Sequence, residues 1–259
     1  MNVSQTEQYE LFVRTDPTIV GRVDVHTHLL PGIDDGCTCV EESIMCARML
    51  VRAGYSHAFC TPHVWPNLPD NNAREIRLRT TALQSKLNEA GIPLTLLPGG
   101  ENNLMSAWPE LGRKAGDDVV TYNLAGKYVL FDFWADTASQ VRELVEPAVR
   151  HLRQRGFELI LAHPERITAL QTDERVLNRL TELGVKLQLN SWCLTEPKGS
   201  TKRDMAERLL IDGRYFLIGT DLHRPSGMEI RVNGVGIAER LVGRDEVERL
   251  TVTHPRLLM

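Results

Sequence analysis

The chain has 259 residues, 42% hydrophobic and 25% charged, which is enough for one large α/β domain with a sizeable core. Its formal net charge of −4 argues against the basic face that a general nucleic-acid or anionic-membrane binder needs. No apolar run approaches the length of a membrane span. The five cysteines form no disulfide framework and the N-terminal residues do not resemble a signal peptide, so we predict a cytoplasmic protein.

Seven short apolar runs are predicted to be β-strands. They are rich in Val, Ile, Leu and Phe and do not alternate cleanly with polar residues, which is typical of a parallel sheet covered on both faces. The predicted strands are Val23–His28, His57–His63, Pro93–Pro98, Lys127–Phe133, Glu158–His163, Lys186–Asn190 and Tyr215–Thr220.

Amphipathic segments between these runs are predicted to be helices. They are Val40–Ala53, Asn72–Ala90, Ala138–Arg155, Asp173–Leu183, Lys202–Asp212, Val235–Val242 and Asp245–Leu250. Thr38 followed by Glu41 predicts a capping box at the start of the first helix, and Gly54 predicts its end.

The regular alternation of strands and helices, without a flexible linker, predicts a single domain at 23–259 preceded by an N-terminal extension at 1–22. A closed or nearly closed parallel barrel fits this count better than two domains, and a doubly wound open sheet is the alternative. The segment 102–122 fits no element and is predicted to be a loop over the site.

Side chains that bind metals are concentrated at the ends of the predicted strands. In chain order they are His26, His28, His63, Glu101, His163, Asp221 and His223. In a parallel barrel these strand ends converge on one face, where such folds place their active sites. Side chains two residues apart on a strand point the same way. The pair His26 and His28, and the pair Asp221 and His223, could therefore each bind one metal centre. Imidazole and carboxylate suit Zn, Mn or Fe, and the set exceeds what one tetrahedral ion needs, so we predict two or three ions.

Cysteine chemistry is the alternative that we weigh against a metal centre. Cys46 and Arg52 have the C-x5-R spacing of a cysteine-dependent phosphatase, but the residues between them are predicted to be helical and lack a glycine-rich anion loop. Cys46 is therefore predicted to be a core residue. The isolated histidines His57, His151 and His254 are predicted to be packed or surface residues.

An ordered set of motifs resembles one known family. The motifs are H-T-H at 26–28, L-P-G-I-D-D-G at 30–36, T-P-H at 61–63, G-G-E at 99–101, A-H-P-E-R at 162–166 and G-T-D-L-H at 219–223. They resemble the PHP (polymerase and histidinol phosphatase) family, and most closely its bacterial protein-tyrosine phosphatase branch, which is linked to capsular and exopolysaccharide synthesis. T-P-H is followed here by Val64 and Trp65, where relatives often have another histidine.

The resemblance implies a single-domain, distorted TIM-like (β/α)7 barrel with two to three divalent ions, manganese first and iron or zinc as alternatives. By motif, His26, His28, Glu101 and Asp221 would hold one ion, and Glu101 would bridge to a second ion held by His63 and His163. Asp35 and His223 would hold the third ion and share in catalysis, and Arg166 would contact the phosphate.

The implied reaction is hydrolysis of phosphotyrosine on a protein, in particular a bacterial tyrosine kinase of capsular or exopolysaccharide synthesis. A small-molecule phosphatase acting on histidinol phosphate or a sugar phosphate is the second hypothesis. A metal hydrolase of another kind and a metal-binding module without turnover are further alternatives. The sequence does not indicate the oligomeric state or a general acid.

Overall fold

The computed structural model describes residues 21–105 and 119–259, which contain nine β-strands. The strands are β1 (Arg22–Thr27), β2 (Tyr55–Cys60), β3 (His63–Val64), β4 (Thr95–Pro98), β5 (Glu101–Asn103), β6 (Tyr128–Asp132), β7 (Glu158–Ala162), β8 (Lys186–Asn190) and β9 (Tyr215–Gly219). They form two sheets, in the orders β1-β2-β4 and β3-β5-β6-β7-β8-β9. Every pairing is parallel, as predicted.

The predicted strand His57–His63 is interrupted, and the predicted strand Pro93–Pro98 is followed by a further short strand that was not predicted. Thr61 and Pro62 separate β2 from β3, and two glycines separate β4 from β5. Proline has no N–H for a ladder bond, which accounts for the first break. Backbone bonds continue across both breaks, from Gly99 N–H to Cys60 O at 2.9 Å and from Glu101 N–H to Pro62 O at 3.0 Å. The ends of β3 and β5 therefore remain in line with β2 and β4.

The first and last strands also meet. Thr27 and Leu222 form a parallel bridge. The His28 N–H donates to Leu222 O at 2.9 Å, and the Asp221 N–H donates to His26 O at 2.8 Å. The residues that follow β9 thus lie directly beside the end of β1.

Helices follow the strands in the predicted alternation. They are α1 (Val40–Arg52), α2 (Ala73–Glu89), α3 (Ala138–Gln140), α4 (Glu146–Gln154), α5 (Thr168–Thr172), α6 (Glu174–Glu182), α7 (Thr201–Ile211), α8 (Met228–Val242) and α9 (Arg244–Glu248). π-helical turns at Val141–Val145 and Arg249–Thr253 follow α3 and α9, and 3-10 helices lie at Tyr122–Leu124, Pro164–Arg166, Ser191–Thr195, Pro225–Gly227 and Pro255–Leu258. The predicted helix Ala138–Arg155 is therefore one continuous element with a π turn inside it.

Two predictions about helix ends are wrong. The capping box of Thr38 and Glu41 is absent, because Cys39 is the N-cap of α1 without a side-chain bond, and the Thr38 N–H and hydroxyl both donate to Glu42 instead. The helix predicted from Val235 begins seven residues earlier, at Met228. Gly54 does end α1 in the left-handed region, with φ of 86°.

The sheets are buried on both faces. Along β7, Leu159 and Leu161 pack into one apolar cluster, while Ile160 and Ala162 pack into another on the opposite face. Strict alternation along a strand explains this division. The first cluster contains helix residues such as Leu152 and Leu209, so helices cover one face and the second cluster lies enclosed among the strands.

The predicted extension at 1–22 lies almost wholly outside the described residues, and so does the middle of the predicted loop at 102–122. The ends of that segment are structured, since β5 runs to Asn103 and a 3-10 helix begins at Tyr122. Within the described ranges, no helix has both the length and the apolar character to cross a membrane.

Candidate metal centre

His26 and His28, at the end of β1, form the floor of a buried site. Both are fully buried. His26 Nδ1 lies 2.9 Å from Gln188 Oε1, and His28 Nδ1 lies 2.7 Å from Asp34 Oδ2. Because each Nδ1 is occupied by an acceptor, each Nε2 is left as a lone-pair donor facing the site. The two Nε2 atoms are 3.2 Å apart.

Glu101, at the start of β5, lies among four imidazole rings. Its Oε2 is 3.3 Å from His26 Nε2, 3.6 Å from His28 Nε2 and 2.9 Å from His63 Nδ1, and its Oε1 is 2.9 Å from His163 Nε2. Burial acts to raise the pKa of Glu101, but the charge of His26 and the hydrogen bonds from the histidines hold it well below its ordinary value. Glu101 is therefore a carboxylate at the centre of the cluster.

Asp221 lies on the other side of the two β1 histidines. Its Oδ1 is 3.5 Å from His26 Nε2 and 3.3 Å from His28 Nε2. Its backbone is in the left-handed region at φ of 53°, which is unfavourable for a residue with a Cβ. The buried Arg231 guanidinium donates to Asp221 O at 2.7 Å and to Thr220 O at 2.7 Å, which holds this turn in place.

His63, Asp35 and His223 form a second group on the solvent side. The Asp35 Oδ1 atom is 3.3 Å from His63 Nε2 and 3.3 Å from His223 Nε2. Burial lowers the pKa of His63, but the two neighbouring carboxylates raise it to about 9 overall. Among the described residues, two sets of ligand atoms lie within 4.8 Å of one another and could hold an ion: His28, Asp35, His63 and His223, and His26, His28 and Glu101.

The structure thus brings together all eight residues that the resemblance implied as ligands. They meet at one end of the parallel strands, as the strand-end spacing predicted. The grouping differs in one respect, because His63 contacts Asp35 with one ring nitrogen and Glu101 with the other. His163 contacts the other carboxylate oxygen of Glu101. The isolated His57 and His254 lie elsewhere, bonded to Ser56 and Phe216 O.

Asp132, the last residue of β6, is a site residue that the sequence reasoning missed. It lines the same cleft as Glu101 and His163 and accepts a hydrogen bond from Asn103 Nδ2 at 3.2 Å. Burial and the nearby Glu101 carboxylate raise its pKa to about 8. The signal that could have found it is its position, since it is a polar residue next to the end of the predicted strand Lys127–Phe133, much as His26 lies near the end of Val23–His28.

Arg166 lies at the rim of this cleft, where the 3-10 helix after β7 places it. Its Nη1 donates to Asp221 Oδ2 at 2.8 Å, and Asn190 Nδ2 donates to the same oxygen at 2.8 Å. About a third of the Arg166 side chain is exposed. The guanidinium is therefore within reach of a ligand in the cleft while it is fixed by a buried carboxylate.

The donor set fits divalent cations. His63 Nδ1, His163 Nδ1 and Glu101 Oε2 are buried without a hydrogen bond of acceptable geometry, although charged groups surround them. Unpaired buried polar atoms are costly, and a cation would satisfy them. The facing Nε2 atoms of His26 and His28 have the same need, because at neutral charge neither can donate to the other.

The cysteine alternative does not fit. Cys46 lies on the buried face of α1 and is a core residue, as predicted, and Arg52, at the end of the same helix, is exposed. The Cys37 thiol and burial raise the pKa of the Cys46 thiol, so the reactive thiolate is disfavoured.

Comparison with known proteins gives one family. The model of the family described as capsular polysaccharide synthesis, CpsB/CapC, matches residues 22–259. The chain is 28% identical to tyrosine-protein phosphatase YwqE of Bacillus subtilis over 205 residues, covering 78% of this chain and 77% of that protein. It is 24% identical to tyrosine-protein phosphatase CpsB of Streptococcus pneumoniae over 251 residues, covering 92% and 98%.

Solved structures agree with the family match. A crystal structure from work on YwqE of Bacillus subtilis and CpsB of Streptococcus pneumoniae, described as unique metal-dependent tyrosine phosphatases, superposes with a TM-score of 0.80. It is 26% identical and covers 91% of this chain and 94% of that chain. The phosphotriesterase homology protein from Escherichia coli superposes with a TM-score of 0.55 at 13% identity, which shows a shared fold alone.

Proposed function

The chain belongs to the CpsB/CapC family of capsular polysaccharide synthesis, and on that basis we propose that it is a metal-dependent phosphatase that hydrolyses phosphotyrosine on a protein. The observation that carries the proposal is the buried cluster in which Glu101 joins four histidines beside Asp221, with Arg166 at its rim. The tyrosine phosphatases YwqE and CpsB are similar to this chain along most of their length.

We assign three neighbouring ion positions to the cluster. His26, His28, Glu101 and Asp221 would hold the first ion. Asp35, His63 and His223 would hold the second, since Asp35 Oδ1 lies 3.3 Å from both imidazoles. Glu101, His163 and the newly found Asp132 would hold the third. Manganese stays our first prediction for the metal, with iron or zinc as alternatives, because imidazole and carboxylate ligands suit all three.

The chemistry that divalent cations supply to ester hydrolysis is activation of a water molecule and neutralisation of phosphoryl charge. Arg166 binds and orients the phosphoryl group, because its planar guanidinium matches two oxygens at once. Asp221 and Asn190 fix the position of that guanidinium through the shared Asp221 Oδ2 atom. The leaving tyrosyl phenolate has an ordinary pKa near ~10, so it needs less protonation than an alkoxide does.

We also infer that the strands form a distorted TIM-like (β/α)7 barrel. With β2 and β3 taken as one strand, and β4 and β5 as another, seven strands remain. The backbone bonds across the two breaks and the Thr27–Leu222 bridge between the first and last strands support closure. The domain would then run from residue 23 to 259, with residues 1–22 as an extension.

The substrate that we propose is a tyrosine-phosphorylated protein, in particular a bacterial tyrosine kinase of capsular or exopolysaccharide synthesis. Support comes from the similarity to the tyrosine-protein phosphatases YwqE and CpsB and from membership in a family of capsular polysaccharide synthesis. A cytoplasmic location, which would give access to such a kinase, stays a prediction.

Metal content and activity measured together test this function. We expect the Mn²⁺-loaded protein to hydrolyse a phosphotyrosine peptide, and a chelator to abolish turnover until Mn²⁺ is restored. His26→Ala should lower bound metal in elemental analysis and lower kcat/KM at least about 100-fold, because it removes a buried ligand. His57→Ala, which removes a histidine outside the cluster, is the matched control.

The same assay separates the two phosphatase hypotheses. Histidinol phosphate and sugar phosphates serve as competing substrates. A kcat/KM for one of these metabolites far above that for the peptide would replace the tyrosine phosphatase assignment with a small-molecule phosphatase. Unchanged metal content in His26→Ala would refute the proposed centre.

A further inference from the structure

Three of the four tryptophans of this chain line the cleft above the metal cluster. They are Trp65, Trp134 and Trp192. Each follows, by two positions, a polar residue at a strand end: His63 in β3, Asp132 in β6 and Asn190 in β8. Tryptophan is scarce in the chain, so this repeated spacing places most of its indole surface at one site.

At β3 and β6 the spacing sets the height of the indole above the polar floor, because side chains two apart in extended backbone point the same way and two residues rise about 6.6 Å. Trp192 is placed differently, by the 3-10 helix that follows β8. At β6 the alternation is visible, since Phe133 is buried in the helix-side cluster while Asp132 and Trp134 line the cleft. The result is a lower layer of carboxylates, imidazoles and Arg166, and an upper layer of aromatic rings.

The cleft is large enough for a side chain that enters from solvent. Its volume is about 610 Å³, and all three tryptophans contribute to its lining. The Trp65 and His63 rings are in contact, with centroids 4.0 Å apart and ring planes tilted by 32°. The Arg166 guanidinium lies 5.9 Å from the Trp192 ring. Two of the indoles therefore touch the residues that we assign to metal and phosphate binding.

Of the three tryptophans that line the cleft, Trp134 is the one whose side chain is largely exposed to solvent. It is 63% exposed, the largest exposed fraction among the exposed large hydrophobic residues of the described ranges. A large exposed apolar group beside a polar site gains from contact with a flat apolar group. A short alkyl group would cover less of these rings than an aromatic ring does, and it would therefore gain less from apolar burial.

We propose that Trp65, Trp134 and Trp192 form an aromatic collar that binds the ring of an aryl phosphomonoester while the phosphoryl group occupies the polar floor below. The collar selects phosphotyrosine over alkyl phosphates. This inference rests on the proposed function and adds to it the residues that determine specificity. Arg166 and Trp192, in contact, join the two layers.

Binding of phosphonates that cannot be hydrolysed tests the collar without turnover. Isothermal titration of the Mn²⁺-loaded protein compares benzylphosphonate, which carries a ring, with methylphosphonate, which does not. We expect benzylphosphonate to bind at least about tenfold more tightly, which is the range of an aromatic contact plus burial of a ring. Equal dissociation constants for the two ligands would overturn the proposal.

Substitutions of Trp134 test whether this residue causes the preference for benzylphosphonate. Trp134→Leu should raise the benzylphosphonate dissociation constant about tenfold relative to that for methylphosphonate, and Trp134→Phe should restore most of the difference. Ile211→Ala, which removes an exposed apolar side chain from α7 outside the cleft lining, is the control. A purely structural role of Trp134 would weaken both phosphonates equally, and that result counts against the collar.

Kinetics separate this inference from the proposed function. The ratio of kcat/KM for phenyl phosphate to that for an alkyl phosphate should fall about tenfold in Trp134→Leu, mostly through KM. Turnover of phosphotyrosine with an unchanged ratio in the variant would refute the collar and leave the function intact. Preference for benzylphosphonate without any turnover of phosphate esters would refute the function and leave the collar intact.

Discussion

His28 Nδ1 and Asp34 Oδ2 lie 2.7 Å apart, and this contact decides which ring nitrogen of His28 is available to an ion. The same carboxylate accepts from the His63 N–H at 3.0 Å and from the Gly36 N–H at 2.9 Å. Asp34 therefore orients two histidines and the loop that carries Asp35. The next residue in the sequence, Asp35, is the one exposed to the cleft, so the two adjacent aspartates have different roles.

We predict that Asp34→Asn weakens metal binding about 10- to 100-fold, the range for loss of a group that orients a ligand. The amide replaces one acceptor oxygen by a donor. In place of Oδ2 it conflicts with both the His28 ring N–H and the His63 N–H, and in place of Oδ1 it conflicts with the Gly36 N–H. Competition with a fluorescent chelator measures the affinity. Asp136→Asn, at an exposed aspartate outside the cluster, is the control. An unchanged affinity would show that Asp34 does not orient the ligands.

Arg166→Lys should lower kcat/KM about 10- to 100-fold while the bound metal stays constant. Lysine keeps the charge but cannot present two parallel donors to a phosphoryl group. Steady-state kinetics and elemental analysis on the same samples give the answer. Arg175→Lys, at a largely exposed arginine paired with Asp173, controls for the substitution itself. A parallel loss of metal would mean that Arg166 acts mainly by holding Asp221.

The Glu165→Gln variant should gain stability relative to the natural protein, measured as the free energy of unfolding, as the pH rises. Burial raises the pKa of the Glu165 carboxyl to about 7, against the lowering effect of donors that include the Asn190 N–H and the Tyr215 hydroxyl. A carboxyl whose pKa is raised by folding stabilises the folded state fully at pH values below its pKa in the unfolded chain. This contribution is lost as the pH rises through about 7, the pKa in the folded protein. The neutral amide has no such loss.

The difference in free energy of unfolding between Glu165→Gln and the natural protein should therefore grow by up to about 3 kcal/mol between about pH 4.5 and 7.5. Urea unfolding at several pH values, in one metal buffer, measures it. Glu182→Gln, at an exposed glutamate, should show no such trend. A difference that is independent of pH would contradict the prediction.

Two glycines of α8 should respond in opposite directions to alanine. A Cβ at Gly234 would lie 1.9 Å from Ser191 O, which is backbone and cannot move aside, whereas the nearest atom to a Cβ at Gly236 is 3.7 Å away at the Arg240 side chain. Gly234→Ala should destabilise the protein by about 2–3 kcal/mol through overpacking. Gly236→Ala should stabilise it by up to about 1 kcal/mol through helix propensity.

Thermal unfolding of the two variants in parallel measures these effects, at about 2–4 °C per kcal/mol for a domain of this size. Because both substitutions lie in one helix and add the same methyl group, the comparison isolates the contact with Ser191. Equal shifts in the melting temperature would mean that α8 can move away from the 3-10 helix at Ser191–Thr195.

The strands were predictable because burial on both faces gives continuous apolar runs, and Lys186–Asn190 was predicted with both ends correct. The breaks at Thr61–Pro62 and Gly99–Gly100 were not predicted. The run Val235–Val242 concealed the start of α8 at Met228, because the polar residues Glu229 and Asn233 there break the apolar pattern of the helix. Tertiary packing, with Arg231 buried against the Asp221 turn, holds those first turns instead.

The ligand candidates at the strand ends could be predicted because H-x-H and D-x-H there combine spacing with chemistry, whereas Asp35 was implied only by the family resemblance. Asp132 was not predicted as a site residue because it is a single aspartate inside an apolar run and belongs to no motif. The orienting roles of Gln188 and Asp34 were not predicted, because their contacts depend on the fold. Gln188 contacts His26 across 162 residues of sequence, and Asp34 contacts His28 across 6. The roles of two adjacent aspartates cannot be separated without coordinates.

The bridge between Thr27 and Leu222 has a consequence for synthesis of the chain. His26 and His28 leave the ribosome early, whereas Asp221 and His223 come nearly two hundred positions later. A nascent or truncated chain that stops before β9 lacks two of the groups that surround the β1 histidines. The proposed metal centre can therefore be completed only late in translation, once the residues after β9 lie beside the end of β1.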